Sequence, residues 1–299
     1  MNNKLVSVII PSYSRPNNIC RAIDSVLNQT YQPIEIIVVD DNGIGTDFQR
    51  QTEHVLSKYI RTNKIIYIKH DTNKNGSAAR NTGFKASNGY YINFLDDDDE
   101  FVKTKIEKQV AILEMHPEYD ACYCNTEVHG LKRIVHTHYQ NNGNLCFELL
   151  TGKTSFNTST ILIKRTAVED INGWDESFLR HQDTEFLVRF YRNHMICGTN
   201  NNEFLLKQWA TPNIISRNPK RAIDFRIYFL EKMKEDIMKQ PSPRLVYRYN
   251  YENLCLTLLA NGETLLGTKY FFKIMKYGFP SASCIAKWIY YILTNKLRQ

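Results

Sequence analysis

Residues 5–43 read LVSVIIPSYSRPNNICRAIDSVLNQTYQPIEIIVVDDNG, and the change of period inside that stretch decides the fold. LVSVII (5–10) is an unbroken, mostly β-branched run stopped by Pro11, the pattern of a strand buried on both faces. Ile19, Ile23, Val26 and Leu27 then recur at helical spacing. A second buried run, IEIIVVD (34–40), ends in the polar DDNG. Strand, helix and strand within about 30 residues form a βαβ unit, which requires a parallel sheet and a right-handed crossover.

The pattern repeats. A helix is expected over 48–60, a third strand at KIIYIKH (64–70), and a short helix after the loop DTNKNGSAARNTG (71–83). A fourth strand is expected at GYYINFL (89–95), followed at once by DDDDE (96–100). Residues 103–119 read as an amphipathic helix, 119–128 and 158–165 as single strands, 182–194 as a helix, and 221–240 as one long helix. PSPR (241–244) is the expected linker, and the chain from Leu245 on reads as helical throughout. The class is therefore α/β: a Rossmann-like, mostly parallel sheet flanked by helices, with a C-terminal all-helical extension.

The 299 residues, 42% hydrophobic and 12% aromatic, supply a sizeable core and exclude general disorder. Seven cysteines are scattered without a CxxC pair, so reduced, buried thiols are expected rather than disulfides or a zinc site. No run reaches the roughly 18 apolar residues of a membrane span. The N-terminal apolar run is strand-like and too short for a signal peptide. The expected location is the cytoplasm, with peripheral contact at the inner face of the membrane. The net charge of +7 is uneven: from Thr264 onward there are Lys269, Lys273, Lys276, Lys287, Lys296 and Arg298 but no carboxylate. That basic, aromatic tail (264–299) is read either as an amphipathic segment lying on an anionic membrane or as a small helical bundle with solvated lysines. Nucleic acid is not the expected partner.

In open α/β sheets ligands bind beyond the carboxyl ends of the strands, where PSY, DDNG and DDDDE all fall. Clustered carboxylates are costly unless protonated, solvated or paired with a cation. A divalent ion with oxygen ligands, Mg²⁺ or Mn²⁺, suits them when phosphates share the coordination. If the segment is extended, Asp96 and Asp98 point to one side. The loop 73–81 can bring backbone N–H groups and Arg80 to a diphosphate. Asp40 can accept hydrogen bonds from a nucleobase or ribose, and Tyr13 can stack on the base. Neither GxGxxG nor GxxxxGK[ST] is present, so dinucleotide and P-loop readings have no support.

Taken together, residues 5–43, then NGSAARNTGFKASNGYYINFLDDDDEF (75–101) and GWDESFLRHQDTEFLVRF (173–190), resemble a family 2 glycosyltransferase of the GT-A fold, over roughly residues 5–215. The resemblance implies inverting transfer of a sugar from a nucleoside diphosphate sugar, UDP-linked by expectation, in bacterial polysaccharide or cell-surface glycan synthesis. It implies a catalytic domain over 1–215, with a nucleotide-binding half (1–100) and an acceptor half (101–215), followed by a helical region (216–299). Pro11, Ser12 and Tyr13 would line the nucleotide pocket with Asp40 at the base, and Asp41 as the weaker choice of that pair. Asn75, Arg80, Asp96 and Asp97 would complete the nucleotide-sugar contacts, and Asp98 with Asp96 would hold the Mn²⁺ or Mg²⁺.

Inverting transfer is one in-line displacement, so a base must take the acceptor hydroxyl's proton. The family places it in an E-D pair behind a G-[FW]-D-E element. Here GWDE occupies 173–176 and the pair is Gln182-Asp183, which makes Asp183 the expected base and leaves the first position without its usual carboxylate. The acceptor would be a glycan or a polyprenyl-linked sugar. Two other classes are carried: a sugar-phosphate nucleotidyltransferase, whose basic glycine-rich N-terminal loop is missing, and a non-catalytic nucleotide-sugar-binding protein.

Overall fold

A computed structural model describes residues 3–130, 133–138, 141–199, 202–209 and 219–296. The first half alternates strands and helices: β1 (Val6–Ser12), α1 (Ile19–Leu27), β2 (Ile34–Asp40), α2 (Asp47–Arg61), β3 (Ile66–Lys69), α3 (Gly76–Ala86) and β4 (Tyr91–Phe94). Next come β5 (Asp99–Phe101), α4 (Lys105–Met115), β6 (Ala121–Tyr123), β7 (Asn125–His129), β8 (Ile134–Thr137), α5 (Cys146–Leu150) and β9 (Ile161–Lys164). The remainder is α6 (Arg165–Asp170), α7 (Gln182–Phe190), β10 (Ile196–Gly198), β11 (Phe204–Trp209), α8 (Pro219–Lys232), α9 (Lys234–Met238), α10 (Pro243–Ala260), α11 (Thr264–Ile274) and α12 (Ala282–Lys296).

Seven strands form the main sheet in the order β10-β6-β9-β4-β1-β2-β3. Only β9 runs antiparallel, against both β4 and β6. The unbroken apolar character of β1 has its cause here. Val6, Val8 and Ile10 join α1, α2 and α4 in one buried cluster, while Ile9 faces α3 on the other side. A Cβ on Gly83 of α3 would come within 2.3 Å of Ile9, so glycine is what lets this helix lie close to the sheet. Each fully buried isoleucine or valine contributes about 1.5–3 kcal/mol, enough for β1 and its neighbours to anchor the domain.

A second sheet, ordered β5-β11-β7-β8, was not foreseen. The expected single strand at 119–128 divides at Cys124 into β6 and β7, one in each sheet. The expected strand 158–165 begins as a turn of 3-10 helix at Thr158–Thr160. The expected long helix breaks at Met233, and PSPR is no linker: Pro243 starts α10, where a missing N–H costs nothing. All seven cysteines are unbridged. The chain forms two compact units. One holds both sheets. The other joins α8 to α12 with α5, which Asn250 secures by donating to the Leu150 carbonyl at 3.1 Å.

At the start of α4, Lys105 is wholly buried, donating to Gln109 Oε1 at 2.8 Å, with its ammonium 4.1 Å from the centre of the Phe101 ring. Loss of hydration lowers its pKa to about 8. Below that value the ammonium is charged in folded and unfolded chains alike, and the folded state carries the full desolvation cost. Between about 8 and the ordinary 10.5 the unfolded chain binds more protons, so stability contributed by this group rises with pH. Accordingly, the melting-temperature difference between wild type and Lys105→Met should shift in favour of wild type as pH is raised from 8 to 10. A pH-independent difference would show that Lys105 stays charged.

Candidate functional site

The rim beyond β1 and β2 is built by two buried carboxylates. Asp40 accepts from the Asn42 backbone at 3.0 Å, the Asn42 side chain at 2.7 Å and the Tyr67 hydroxyl at 2.6 Å. Asn42 in turn accepts from the Ser14 amide at 2.7 Å, holding Ser14 in the left-handed region (φ 58). Asp41 gathers the next loop: His70 Nδ1 at 2.7 Å, the Asn73 amide at 2.7 Å and the Lys74 backbone N–H at 2.8 Å. Both carboxylates are out of contact with solvent. Pro11 is half-buried, Ser12 buried, and Tyr13 leaves its side chain exposed at this rim.

The four aspartates do not form an extended segment. Asp99 N–H donates to the Asp96 carbonyl at 3.0 Å, which closes a turn between β4 and β5. The turn buries Asp97 and Asp99 and leaves the side chains of Asp96 and Asp98 28% and 15% exposed. Arg15, from the loop after β1, ion-pairs with Asp97 at 2.9 Å and with Asp98. Arg21 of α1 donates to the Asp98 carbonyl at 3.0 Å, and its guanidinium lies over the Trp209 ring, 4.8 Å from the centroid. Burial raises Asp97 to about 7, against the pull of Arg15 and with help from Asp98 and Asp96. Burial, then Asp96, lifts Asp99 well above the usual carboxylate range. The repulsion of four adjacent charges is thus relieved by guanidinium pairing and by raised proton affinity at the two buried positions. Asp97, expected among the nucleotide-sugar contacts, lies beneath the turn facing Arg15.

On the other side of the turn, Arg80 of α3 donates to Asp96 Oδ1 at 2.7 Å and to Gln182 Oε1 at 3.2 Å. Its guanidinium lies 4.6 Å from the centroid of the Trp174 ring. Trp174 stacks on Phe186 at 4.3 Å and meets Phe94 edge-on at 5.2 Å. This ring is therefore core that supports Arg80. The N-terminus of α3 is fixed by Asn75, a non-glycine residue at φ 81, whose Oδ1 accepts from the backbone N–H groups of Ser77 at 2.9 Å and Ala78 at 3.2 Å. Its side chain also donates to the Glu176 carbonyl at 3.0 Å, so Asn75 acts as a cap and a tether.

Beside Arg80, Asn81 clamps the GWDE loop. It accepts from Trp174 N–H at 2.8 Å and donates to the Trp174 carbonyl at 2.9 Å and to Glu176 at 2.8 Å. Gly173 is at φ +66, and a Cβ there would meet Asn81 Oδ1 at 2.6 Å. The loop delivers the chain to α7, whose first turn carries Asp183. Asp183 accepts from the Thr158 hydroxyl at 3.1 Å. Desolvation raises its pKa, opposed by Arg80 and reinforced by Asp96.

Arg80, Asp96, Gln182 and Asp183, spread over a hundred residues, thus meet at one place, with Asp98 and Arg15 across the acidic turn. Arg15, Arg21, Asn81 and His70 had no role assigned from sequence. Only Arg15 carried a signal, as a basic residue in the loop beyond β1. His136 stacks on Phe204 at 4.2 Å within the second sheet. The 210–218 part of the segment after β11 lies outside the described residues.

For a divalent ion, the hard carboxylate oxygens of Asp98 and Asp96 are suitable donors. Among the described residues no three His, Cys, Asp or Glu side chains converge on a common point. The protein would supply one or two ligands and leave the rest to phosphate and water, a donor set that fits Mg²⁺ or Mn²⁺ beside a nucleotide.

The family model for glycosyl transferase family 2 matches residues 7–171. The amylovoran biosynthesis glycosyltransferase AmsB of Erwinia amylovora is 27% identical over 282 residues, 89% of this chain and 90% of the relative. The Escherichia coli UDP-Glc:alpha-D-GlcNAc-diphosphoundecaprenol beta-1,3-glucosyltransferase WfaP is 34% identical over 170 residues, 56% of this chain and 64% of the relative. Among solved structures, the mannosyltransferase PcManGT from Pyrobaculum calidifontis, in complex with GDP-Man and Mn²⁺, superposes with a TM-score of 0.61 at 17% identity, covering 98% of this chain and 87% of that one. The fold is that of the GT-A glycosyltransferases.

Proposed function

The chain belongs to glycosyl transferase family 2 and is a glycosyltransferase, and from that premise we propose that it moves a sugar, with inversion, from a UDP-sugar to a glycan or polyprenyl-linked acceptor. The observation that carries this reading is the shared guanidinium of Arg80, which ties Asp96 of the acidic turn to the Gln182-Asp183 helix start. A donor held at the acidic turn and a base at the start of α7 would then lie on either side of one guanidinium, which supports a single displacement.

In this reading the donor occupies the half 1–100 and the acceptor the half 101–215. Tyr13 covers the base at the rim organised by Pro11, Ser12 and Asp40, while Asn75 presents the N-terminus of α3, with Arg80, to the diphosphate. Asp98, with Asp96, holds Mn²⁺ or Mg²⁺, which when bound neutralises charge on the leaving diphosphate. PcManGT's complex with Mn²⁺ supports the same use here. Asp183 takes the proton from the acceptor hydroxyl, and its raised pKa makes it a stronger base than an ordinary carboxylate. Gln182 holds Arg80 through a neutral amide, so among the described residues Asp96 is the one carboxylate hydrogen-bonded to that guanidinium. The lipid-linked acceptor named for WfaP supports an acceptor presented at the inner membrane face.

A thermal-shift screen of nucleotide sugars with Mn²⁺ tests the reading, because a ligand of the folded state alone raises the melting temperature. A UDP-sugar is expected to give the largest rise, and turnover is expected to release UDP. Release of pyrophosphate instead would favour a nucleotidyltransferase, and no response to any nucleotide sugar would remove the donor assignment.

A further inference from the structure

The helices α11 and α12 bury one side and leave an apolar side uncovered. In α11, Gly267, Phe271 and Ile274 are buried, with Phe271 stacked on Trp288 of α12 at 4.4 Å. Directly opposite on this helix stand Leu265, Lys269 and Phe272, and Lys276 follows in the turn just beyond its end, all exposed. Leu265 is 91% exposed and Phe279, in the turn between the helices, 84%. In α12, Cys284 is buried while Ala282, Ala286, Ile289 and Leu293 line the outer side. A solvated helix face is ordinarily polar. These faces expose large apolar side chains on both helices, and their charges are all of one sign, since no carboxylate follows Glu263.

We propose that this face of α11 and α12 is an interfacial membrane-docking surface for anionic phospholipid. Leu265, Phe272 and Phe279 enter the headgroup–acyl boundary, and the lysines reach up to lipid phosphates. No described helix is long and apolar enough to cross a bilayer, so these helices lie along it. A second copy of the chain fits the face less well. A two-fold contact would oppose like patches, setting the lysines of one copy against those of the other. The proposal extends the reading of a membrane-side acceptor, and its test uses neither donor nor acceptor, so either can fail alone.

The full chain is mixed with phosphatidylcholine vesicles, with and without phosphatidylglycerol, and sedimented. Binding is expected only to the anionic vesicles and should weaken as salt is raised. Phe272→Glu with Leu293→Glu should lower the bound-to-free ratio at least about tenfold, and Lys269→Gln with Lys276→Gln should remove most of the preference for phosphatidylglycerol. These side chains are exposed, so melting temperatures should stay near wild type, which separates lost binding from lost folding. Equal sedimentation of wild type and variants would overturn the proposal. So would a dimer, seen by analytical ultracentrifugation, that Phe272→Glu dissociates while vesicles fail to bind.

Discussion

Asp183→Asn is expected to reduce sugar transfer by about 10²-fold or more, the scale of lost general-base catalysis, while leaving donor binding close to wild type. The asparagine keeps an oxygen for the Thr158 hydroxyl, which lies 3.1 Å from Asp183 Oδ1, so the local structure should persist. What it loses is the proton acceptor. Because desolvation raises the pKa of this carboxyl, wild-type kcat should rise through an acid limb placed above the ordinary carboxylate range, as the base deprotonates. In Asp183→Asn that limb should vanish along with the rate. The measurement is UDP release with a membrane lipid extract as acceptor source, alongside calorimetric binding of UDP. Transfer within a few fold of wild type would leave Asp183 as no more than an acidic residue in the first turn of a helix, where the dipole favours one anyway.

The second large effect is expected at Asp98. Asp98→Asn should weaken Mn²⁺-dependent UDP binding at least about tenfold, a loss of about 1.4 kcal/mol or more, because a charged hard-oxygen ligand is replaced by a neutral one. Binding of UDP without metal should hold or improve, for two reasons. One negative charge leaves the diphosphate's surroundings, and Arg15, which pairs with both Asp97 and Asp98, is freed from one of its carboxylates. That opposite response separates a metal ligand from a merely structural aspartate, whose loss would weaken both. If affinity with Mn²⁺ matches wild type, Asp98 is not the ligand.

Much of the framework was legible along the chain. The runs at 5–10 and 34–40 became β1 and β2 because both faces of each strand are covered, and only an unbroken apolar run satisfies that. The loops PSY, DDNG and DDDDE fell at one rim because parallel strands share a direction. Local period carries these facts, so one sequence is enough to read them. It was less informative where strands are short: 119–128 divides between two sheets at Cys124, and nothing in its alternation marks the division.

Of the site, the sequence by itself determined which residue types stand at which strand ends, and singled out Arg80 and Asp183. Only the tertiary structure decided how those groups are compensated. Two cations compensate the four aspartates: Arg15, more than eighty positions earlier in the chain, pairs with Asp97 and Asp98, and Arg80 pairs with Asp96. Trp174 proved to be core supporting Arg80, and Asn81, the residue after Arg80 with no role assigned from the sequence, proved to be the clamp on GWDE. The reason is physical. Secondary structure follows from the spacing of neighbours, whereas the partner of a buried charge depends on which distant side chain the fold brings within about 3 Å once water is excluded.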